Sequence, residues 1–224
     1  MIQRDNSATI RKKLLIAAAE IFADKGFRHA TVAEICTRAG ANIAAVNYYF
    51  GNKENLYKKS WRYAFLESLK DYPLDGGVGK DSPPEDQLFG QVKSLLMRVA
   101  DENNKEFWFI QREISNPTGL LEEVVEEVIK PLKEIMSIIV REILGPHATE
   151  TEVFFCEISI MSQCLDPMIA GQRKMKKLET AQGRSFEMID IEAYAVHVTK
   201  FCLAGMRDIR KQIEKRSKSS KASR

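Results

Sequence analysis

The stretch from Thr31 to Lys53 reads TVAEICTRAGANIAAVNYYFGNK and predicts two short helices joined by a tight turn. Thr31, followed by Glu34 three residues later, forms the sequence signature of a capping box and begins the first helix. Gly40 ends that helix because glycine tolerates the left-handed backbone conformation that often follows a helix. Asn42 is a suitable N-cap for the second helix.

Each predicted helix has one apolar face and one small or polar face. The apolar positions are Val32, Ile35, Cys36 and Ala39 in the first helix and Val46 and Phe50 in the second. The outward positions of the second helix carry no charge: Ile43, Ala44, Ala45, Asn47, Tyr48 and Tyr49. A helix, a glycine-containing turn and a second helix with this outer face favour a helix-turn-helix that reads DNA.

The order of residues around this stretch resembles the TetR family of bacterial transcriptional regulators. The resemblance rests on IRKKLLIAAAEIFADKGF (10–27), ATVAEICTRAGA (30–41) and VNYYFGNKENLY (46–57). It implies an all-α protein with an N-terminal three-helix helix-turn-helix domain over residues 1–56. A helical effector-binding and dimerisation domain is expected over residues 57–216, followed by a basic disordered tail over residues 217–224. The segment Asn116–Thr118 is similar to a CecR-like subgroup linked to drug efflux or antibiotic sensitivity.

The resemblance implies a set of DNA-contacting residues at matching positions: Thr31, Asn42, Ala44, Ala45, Asn47, Tyr48, Tyr49 and Lys53. Helix N-termini favour phosphates, and tyrosine and lysine suit phosphate contacts. Asn47 can bond an adenine edge with both amide atoms, although the family more often has tyrosine there. Two alternatives remain: one tyrosine packs in the core, or Lys53 is a surface cation near Glu54.

Charge is unevenly distributed along the 224 residues, whose formal net charge is +3. Residues 1–60 hold 10 Lys+Arg against 5 Asp+Glu, residues 61–206 hold 16 against 24, and residues 207–224 hold 8 against 2. We call the expected DNA-binding domain, residues 1–56, the reader and the expected helical domain, residues 57–216, the body. A basic reader attached to an acidic body would orient itself on DNA. The partner expected is therefore a double-stranded DNA operator.

Periodicity predicts helices throughout the rest of the chain. The first runs from Thr9 to about Lys25, after a frayed terminus of residues 1–8. A fourth helix, Asn52–Tyr72, is expected to begin in the reader and end in the body. The remaining predicted helices are Leu88–Ala100, Lys105–Ser115, Leu120–Leu144 with a kink or break at Pro131, Val153–Asp166, and Ile191 to about Lys215. Lys174, Lys176 and Lys177 are expected to be solvated.

The resemblance also implies a homodimer formed by the last two long helices and a cavity for a small-molecule effector. The segment Val153–Leu165 is apolar nearly all round, which predicts burial on two sides. Simple intramolecular packing is the alternative to a dimer. The candidate pocket residues combine aromatic and polar side chains: Phe107, Trp108, Gln111, Arg112, Met136, Ser159 and Gln163. Plain core packing, with Arg112 paired to Glu113 or another acid, is the alternative there.

Several classes of protein are disfavoured by what the sequence lacks. His29, His147 and His197 lie on separate segments without a nucleophile or metal-ligand partner, so neither catalysis, a metal nor a cofactor is expected. The cysteines, Cys36, Cys156, Cys164 and Cys202, fit no zinc spacing and are expected to be buried thiols. No apolar run spans a bilayer and no signal peptide is evident, which predicts a cytoplasmic protein. A TetR-fold interaction module that does not read DNA is the alternative function.

Overall fold

In the computed structural model, the backbone is described for residues 2–101, 103–172 and 190–222, and side chains for 8–101, 103–165 and 190–219. The described residues form nine helices joined by turns and loops. They are α1 (Ile2–His29), α2 (Val32–Ala39), α3 (Ile43–Phe50), α4 (Lys53–Asp71), α5 (Pro84–Ala100), α6 (Lys105–Ser115), α7 (Glu122–Leu144), α8 (Glu150–Gln172) and α9 (Ile191–Ala222). The predicted all-α fold class is confirmed.

The first helix is longer than its apolar pattern predicts. It begins at Ile2 rather than Thr9 and runs to His29, which is therefore a helix end rather than a loop residue. The polar residues before Thr9 include neither proline nor glycine, so nothing in them stops a helix. Gly26, directly after the predicted helix end at Lys25, does interrupt the helical backbone, with φ 72° and ψ 172°.

The later helices also differ from prediction at their ends. Helix α7 continues through Pro131. Helix α8 begins at Glu150 because Thr149 and Glu152 form a second capping box: Glu152 Oε2 accepts from the Thr149 backbone N–H at 2.8 Å, and Thr149 Oγ1 accepts from the Glu152 N–H at 3.2 Å. Helix α9 reaches Ala222 and so extends into the predicted tail. The predicted lysine run, Lys174, Lys176 and Lys177, lies outside the described residues.

The chain divides into two compact units. Unit 1 comprises Met1–Asp71 and Glu102–Lys130, and unit 2 comprises Tyr72–Asp101 and Pro131–Arg224. Helix α4 lies wholly in unit 1 and crosses residue 56, where the sequence predicts that the reader ends and the body begins. The helix with residues in both units is α7. The domain boundary expected after residue 56 stays a prediction.

Unit 1 is built around α1, which packs against α2, α4 and α6. Its centre is an aromatic cluster in which Phe22, Tyr57 and Phe109 are nearly inaccessible to solvent. The ring centroids of Phe22 and Tyr57 lie 4.8 Å apart, as do those of Tyr57 and Phe109. Tyr57 thus anchors α4 to both α1 and α6.

Unit 2 has its own apolar core, in which α5 packs against α8 and α9. Its buried side chains include Leu88, Val92, Val140, Ile160, Ala195, Val198 and Met206. All four cysteines of the chain are buried free thiols, as predicted. Burial raises the pKa of each thiol above its ordinary value, so these cysteines are poor nucleophiles at neutral pH.

Candidate nucleic-acid interface

Helix α2 has the capping box that its sequence predicts. The Glu34 backbone N–H donates to Thr31 Oγ1 at 3.2 Å, and the Thr31 N–H donates to Glu34 Oε2 at 3.1 Å. Lys25 Nζ lies 2.6 Å from Glu34 Oε1. Hydrogen bonds from Lys25 and Thr31 lower the pKa of Glu34 to about 2. The helix ends at Gly40, whose φ of 62° and ψ of 39° are left-handed.

Helix α3 is held by caps at its ends and by apolar contacts beneath it. Asn42 Oδ1 accepts from the Ala45 N–H at 2.9 Å, and the Gly51 N–H donates to the Asn47 carbonyl. Val46 and Phe50 are buried, as their spacing of four residues predicts. These contacts fix which face of α3 points outward.

The outward face of α3 carries the predicted DNA-contacting side chains. Ala44, Asn47 and Tyr48 are exposed, with Tyr48 at 81% of its full accessibility, while Tyr49 is half-buried. The rings of Tyr48 and Tyr49 meet edge to face at 4.9 Å between centroids. Neither tyrosine lies in the core, so the alternative of a core tyrosine is not realised.

Lys53 is held in a defined position at the start of α4. Its ammonium nitrogen lies 4.4 Å from the centroid of the Phe27 ring, a cation–π geometry. Partial burial lowers the pKa of Lys53 from its ordinary value. The side chain is thus half-buried against the Phe27 ring, and its contact with a DNA phosphate stays a prediction.

Two further cations lie at the C-terminal end of α3, and sequence reasoning missed them. Arg11 Cζ and Lys59 Nζ each lie 5.8 Å from the centroid of the Phe50 ring. Both side chains are exposed, and within the described part of the chain neither forms an ion pair. They belong to α1 and α4, so only the packing of three helices brings them together. The excess of Lys and Arg in residues 1–60 was the available signal.

A hydrogen-bond network connects α4 with the end of α6. The Tyr57 hydroxyl donates to Glu113 Oε2 at 2.8 Å. Glu113 Oε1 also accepts from the backbone N–H groups of Thr118 and Gly119, at 2.8 and 2.9 Å. Burial and the Glu113 carboxylate raise the pKa of Tyr57, so its hydroxyl remains a donor. Glu113 therefore bonds to Tyr57, and the alternative of an Arg112–Glu113 pair is wrong.

The seven candidate pocket residues are divided between the two units. Phe107, Trp108, Gln111 and Arg112 lie on α6 in unit 1, where Trp108 is exposed and Arg112 Nε donates to the Ala23 carbonyl at 3.3 Å. Met136, Ser159 and Gln163 lie in unit 2, where Met136 is buried in the core. Gln163 Nε2 contacts both the Ser159 carbonyl and Cys202 Sγ, at 3.1 and 3.2 Å. The pocket stays a prediction.

Two family models match the chain. The model of the bacterial regulatory proteins of the tetR family matches residues 14–59, which include the helix-turn-helix. The model of the C-terminal domain of the HTH-type transcriptional dual regulator CecR matches residues 84–206, more than half of the chain. The chain belongs to the TetR family, with a C-terminal domain of the CecR type. The resemblance inferred from residues 10–57 and from Asn116–Thr118 is thereby confirmed.

The relatives of this TetR-family chain agree with that assignment. The dual regulator CecR of Shigella flexneri is 29% identical over 175 residues, covering 69% of this chain and 74% of the relative. FadR of Bacillus subtilis, solved with stearoyl-CoA, has a TM-score of 0.65 at 17% identity, covering 87% of this chain and 98% of that one. AibR, solved with isovaleryl coenzyme A and operator DNA, has a TM-score of 0.62 at 16% identity, covering 86% and 97%. The two solved structures show a shared fold.

Membership of the TetR family fixes the general activity. The chain is a DNA-binding transcriptional regulator, and its family is not one of enzymes, as the sequence predicts. In the part of the chain that the structure describes, no helix is long and apolar enough to cross a membrane.

Proposed function

We propose that the chain is a repressor that binds a palindromic operator as a homodimer and is released from it by a small molecule. The observation that supports this most directly is the orientation of α3. Val46 and Phe50 bury one face, while the opposite face presents an amide, a phenol and small side chains without a charge. Such a face can enter the major groove of DNA, where base edges are read.

The roles of the individual DNA contacts follow from their positions. Asn47 is the side chain of this face that can recognise an adenine edge with two hydrogen bonds, and Ala44 permits close approach to a thymine methyl. In the capping box, the hydroxyl and N–H of Thr31 both bond to Glu34. The next backbone N–H groups of α2 are therefore the donors we assign to a DNA phosphate.

The positive side chains around α3 complete the proposed interface. Each of these cations is exposed or half-buried and has an aromatic ring centroid within 5.8 Å: Lys53, Arg11 and Lys59. Phosphate contacts set the register of a reader on DNA without selecting sequence. We assign these three cations, with Tyr48 and Tyr49, to the phosphates that flank the groove.

The proposed homodimer would use an apolar face of unit 2. Exposed apolar side chains on α8 and α9 form this face: Phe154, Phe155, Ile158, Met161 and Phe201. Burial of α8 on two sides is thus not realised within a single chain, because one side of the helix is open to solvent. A twofold interface between the same helices of two copies would cover it and place two readers on a palindrome.

The effector we propose is an amphipathic small molecule that binds the body of the protein. FadR and AibR, which share the fold, were solved with acyl derivatives of coenzyme A, and this supports an amphipathic ligand. The ligand releases DNA only if it prefers the weakly binding state, and a hundredfold preference corresponds to about 2.7 kcal/mol. The protein acts in the cytoplasm, since its operator is there.

The proposal is tested by a mobility-shift series in which the purified protein binds its own upstream region at several salt concentrations. Specific binding should survive competitor DNA, and log affinity should fall with log salt at a slope of about −0.9 per phosphate neutralised. Asn47→Ala should weaken specific binding and leave nonspecific binding unchanged. Equal affinity for both DNAs would contradict an operator-specific reader. Absence of all binding by ligand-free protein would favour the interaction module.

A further inference from the structure

A basic cleft lies within unit 1 between the end of α1 and the end of α6. Its volume is about 160 Å³. Because one water needs only about 10–15 Å³ of such a cavity, the cleft has room for a small anion with its hydration. Nine residues line it, and none of them is acidic: Lys25, Gly26, Phe27, Arg28, His29, Tyr57, Arg112, Ser115 and Asn116.

Two positive charges in the cleft have no carboxylate to balance them. Arg28 Nη2 donates to the Pro117 carbonyl and Arg112 Nε to the Ala23 carbonyl, each over 3.3 Å. Among the residues that the structure describes, neither guanidinium forms an ion pair. Lys25 differs, because Glu34 lies 2.6 Å from its ammonium group. Among the described residues that line the cleft, Arg28 and Arg112 are therefore the two guanidinium groups that no carboxylate pairs with.

The arrangement matches the chemistry of a phosphate group. Each guanidinium bonds one carbonyl and has further N–H groups available, and guanidinium groups bind phosphate oxygens in pairs of parallel hydrogen bonds. Ser115 and Asn116 add hydroxyl and amide donors to the same lining. The Glu113 carboxylate, adjacent to Arg112 in sequence, accepts from the hydroxyls of Tyr57 and Thr118 and pairs with neither guanidinium.

We infer that this cleft is a binding site for a phosphate-class anion, held chiefly by Arg28 and Arg112. The site is separate from the outer face of α3 and does not depend on the proposed operator binding. A bound anion would connect the end of α1, directly before the cap of α2, with the end of α6. The phosphate can come from a free phosphorylated compound or from the DNA backbone.

The test is calorimetric titration of the full-length protein with inorganic phosphate, with chloride at the same ionic strength as the control. Wild-type protein should bind phosphate and unfold at a higher temperature in its presence. Arg28→Gln and Arg112→Gln should each raise the dissociation constant at least about tenfold, since each removes charged hydrogen bonds. Arg28→Lys keeps the charge without the planar guanidinium group, so its dissociation constant for phosphate should lie between those of wild type and Arg28→Gln.

Arg62→Gln is the matched control, because Arg62 lies in the same unit outside the cleft and pairs with Glu127 at 2.9 Å. It should bind phosphate like the wild type. Both arginines are exposed, so neither substitution removes a core contact; if one of the two glutamine variants does not fold, the other decides. Equal heats for phosphate and chloride, or wild-type affinity in the glutamine variants, would overturn the inference.

Operator binding distinguishes the two sources of phosphate. If the DNA backbone enters the cleft, Arg28→Gln should lower the magnitude of the salt slope by about 0.9 per protomer, and free phosphate should compete with DNA. If a free compound is the ligand, the slope should stay unchanged in Arg28→Gln. Failure of the protein to bind DNA would leave the calorimetric result standing, so the two proposals can fail separately.

Discussion

At the scale of single residues, the capping box of α2 and its contact with Lys25 carry much of the local order around the reader. Thr31 and Glu34 bond to each other reciprocally, and Lys25 attaches the end of α1 to the same carboxylate. A network confined to ten consecutive residues thus fixes where α2 begins. The direction of the reader depends on this point, because α3 follows α2 by three residues.

Thr31→Ala should lower the free energy of unfolding by about 1 kcal/mol, since the loss of an N-cap usually costs about 0.5–2 kcal/mol. Both tryptophans of the chain, Trp61 and Trp108, lie in unit 1, so urea unfolding followed by tryptophan fluorescence reports this unit. Thr37→Ala is the control, because Thr37 lies within the same helix and its hydroxyl bonds the Ala33 carbonyl. An equal loss in both variants would contradict a capping role.

The pKa of Glu34 predicts a particular pH dependence. Its folded value of about 2 lies below its ordinary value of 4.5, so its contribution is complete above pH 4.5 and is lost as pH falls towards 2. Glu34→Gln should therefore reduce the slope of unfolding free energy against pH between these values. The exposed Glu126 of α7 supplies the control Glu126→Gln, measured by the same fluorescence. If the slope for Glu34→Gln equals that of wild type, Glu34 does not have a lowered pKa in the folded protein.

Two neighbouring lysines of α4 allow a phosphate contact to be distinguished from an ordinary surface charge by their effects on the salt dependence of DNA binding. Lys59 lies against the Phe50 ring, whereas Lys58 lies 3.8 Å from Glu123. Lys59→Gln should weaken binding to all DNA and lower the magnitude of the salt slope by about 0.9 per protomer. Lys58→Gln should leave the slope unchanged. Mobility shifts at four salt concentrations measure both, and identical slopes for the two variants would argue against the contact.

At the scale of elements, α4 is the helix that packs against both α1 and α6. The pattern Tyr57, Trp61, Phe65 predicts a buried stripe, and all three side chains are buried. The stripe packs within unit 1 against α1 and α6, so α4 is part of the frame of the reader. Any change transmitted to the reader through α6 would reach α4 at Tyr57 and Glu113.

Tyr57→Phe tests that connection. The ring contacts with Phe22 and Phe109 remain, but Glu113 loses a donor, so unit 1 should be destabilised by about 1.5–3 kcal/mol in urea unfolding. Tyr63→Phe on the same helix is the control, because the half-buried Tyr63 bonds Glu67 of its own helix and does not connect α4 to Glu113. If Tyr57→Phe lowers the free energy of unfolding no more than Tyr63→Phe does, the bond from the Tyr57 hydroxyl to Glu113 contributes little to the connection.

At the scale of the whole molecule, the open apolar face of α8 and α9 predicts self-association. Phe155 and Phe201 are 61% and 64% exposed in the single chain, an exposure that water disfavours. Phe155→Glu and Phe201→Glu should shift the mass in light scattering from twice 25.5 kDa to 25.5 kDa. Ile114→Glu, a substitution of an exposed apolar residue of α6, should not. A wild-type monomer would contradict the proposed dimer.

The sequence by itself determined where the helices of the reader begin and end, and it determined the family to which the chain belongs. The caps at Thr31, Gly40 and Asn42 act through hydrogen bonds to groups no more than four residues away, so spacing alone predicts them. Tertiary structure alone decided that Lys53 lies over Phe27 and that Arg11 and Lys59 meet at Phe50. It likewise decided that Arg112 bonds Ala23 rather than Glu113, and that one side of α8 stays open. These contacts join residues distant in sequence, and which faces meet depends on the packing of whole helices.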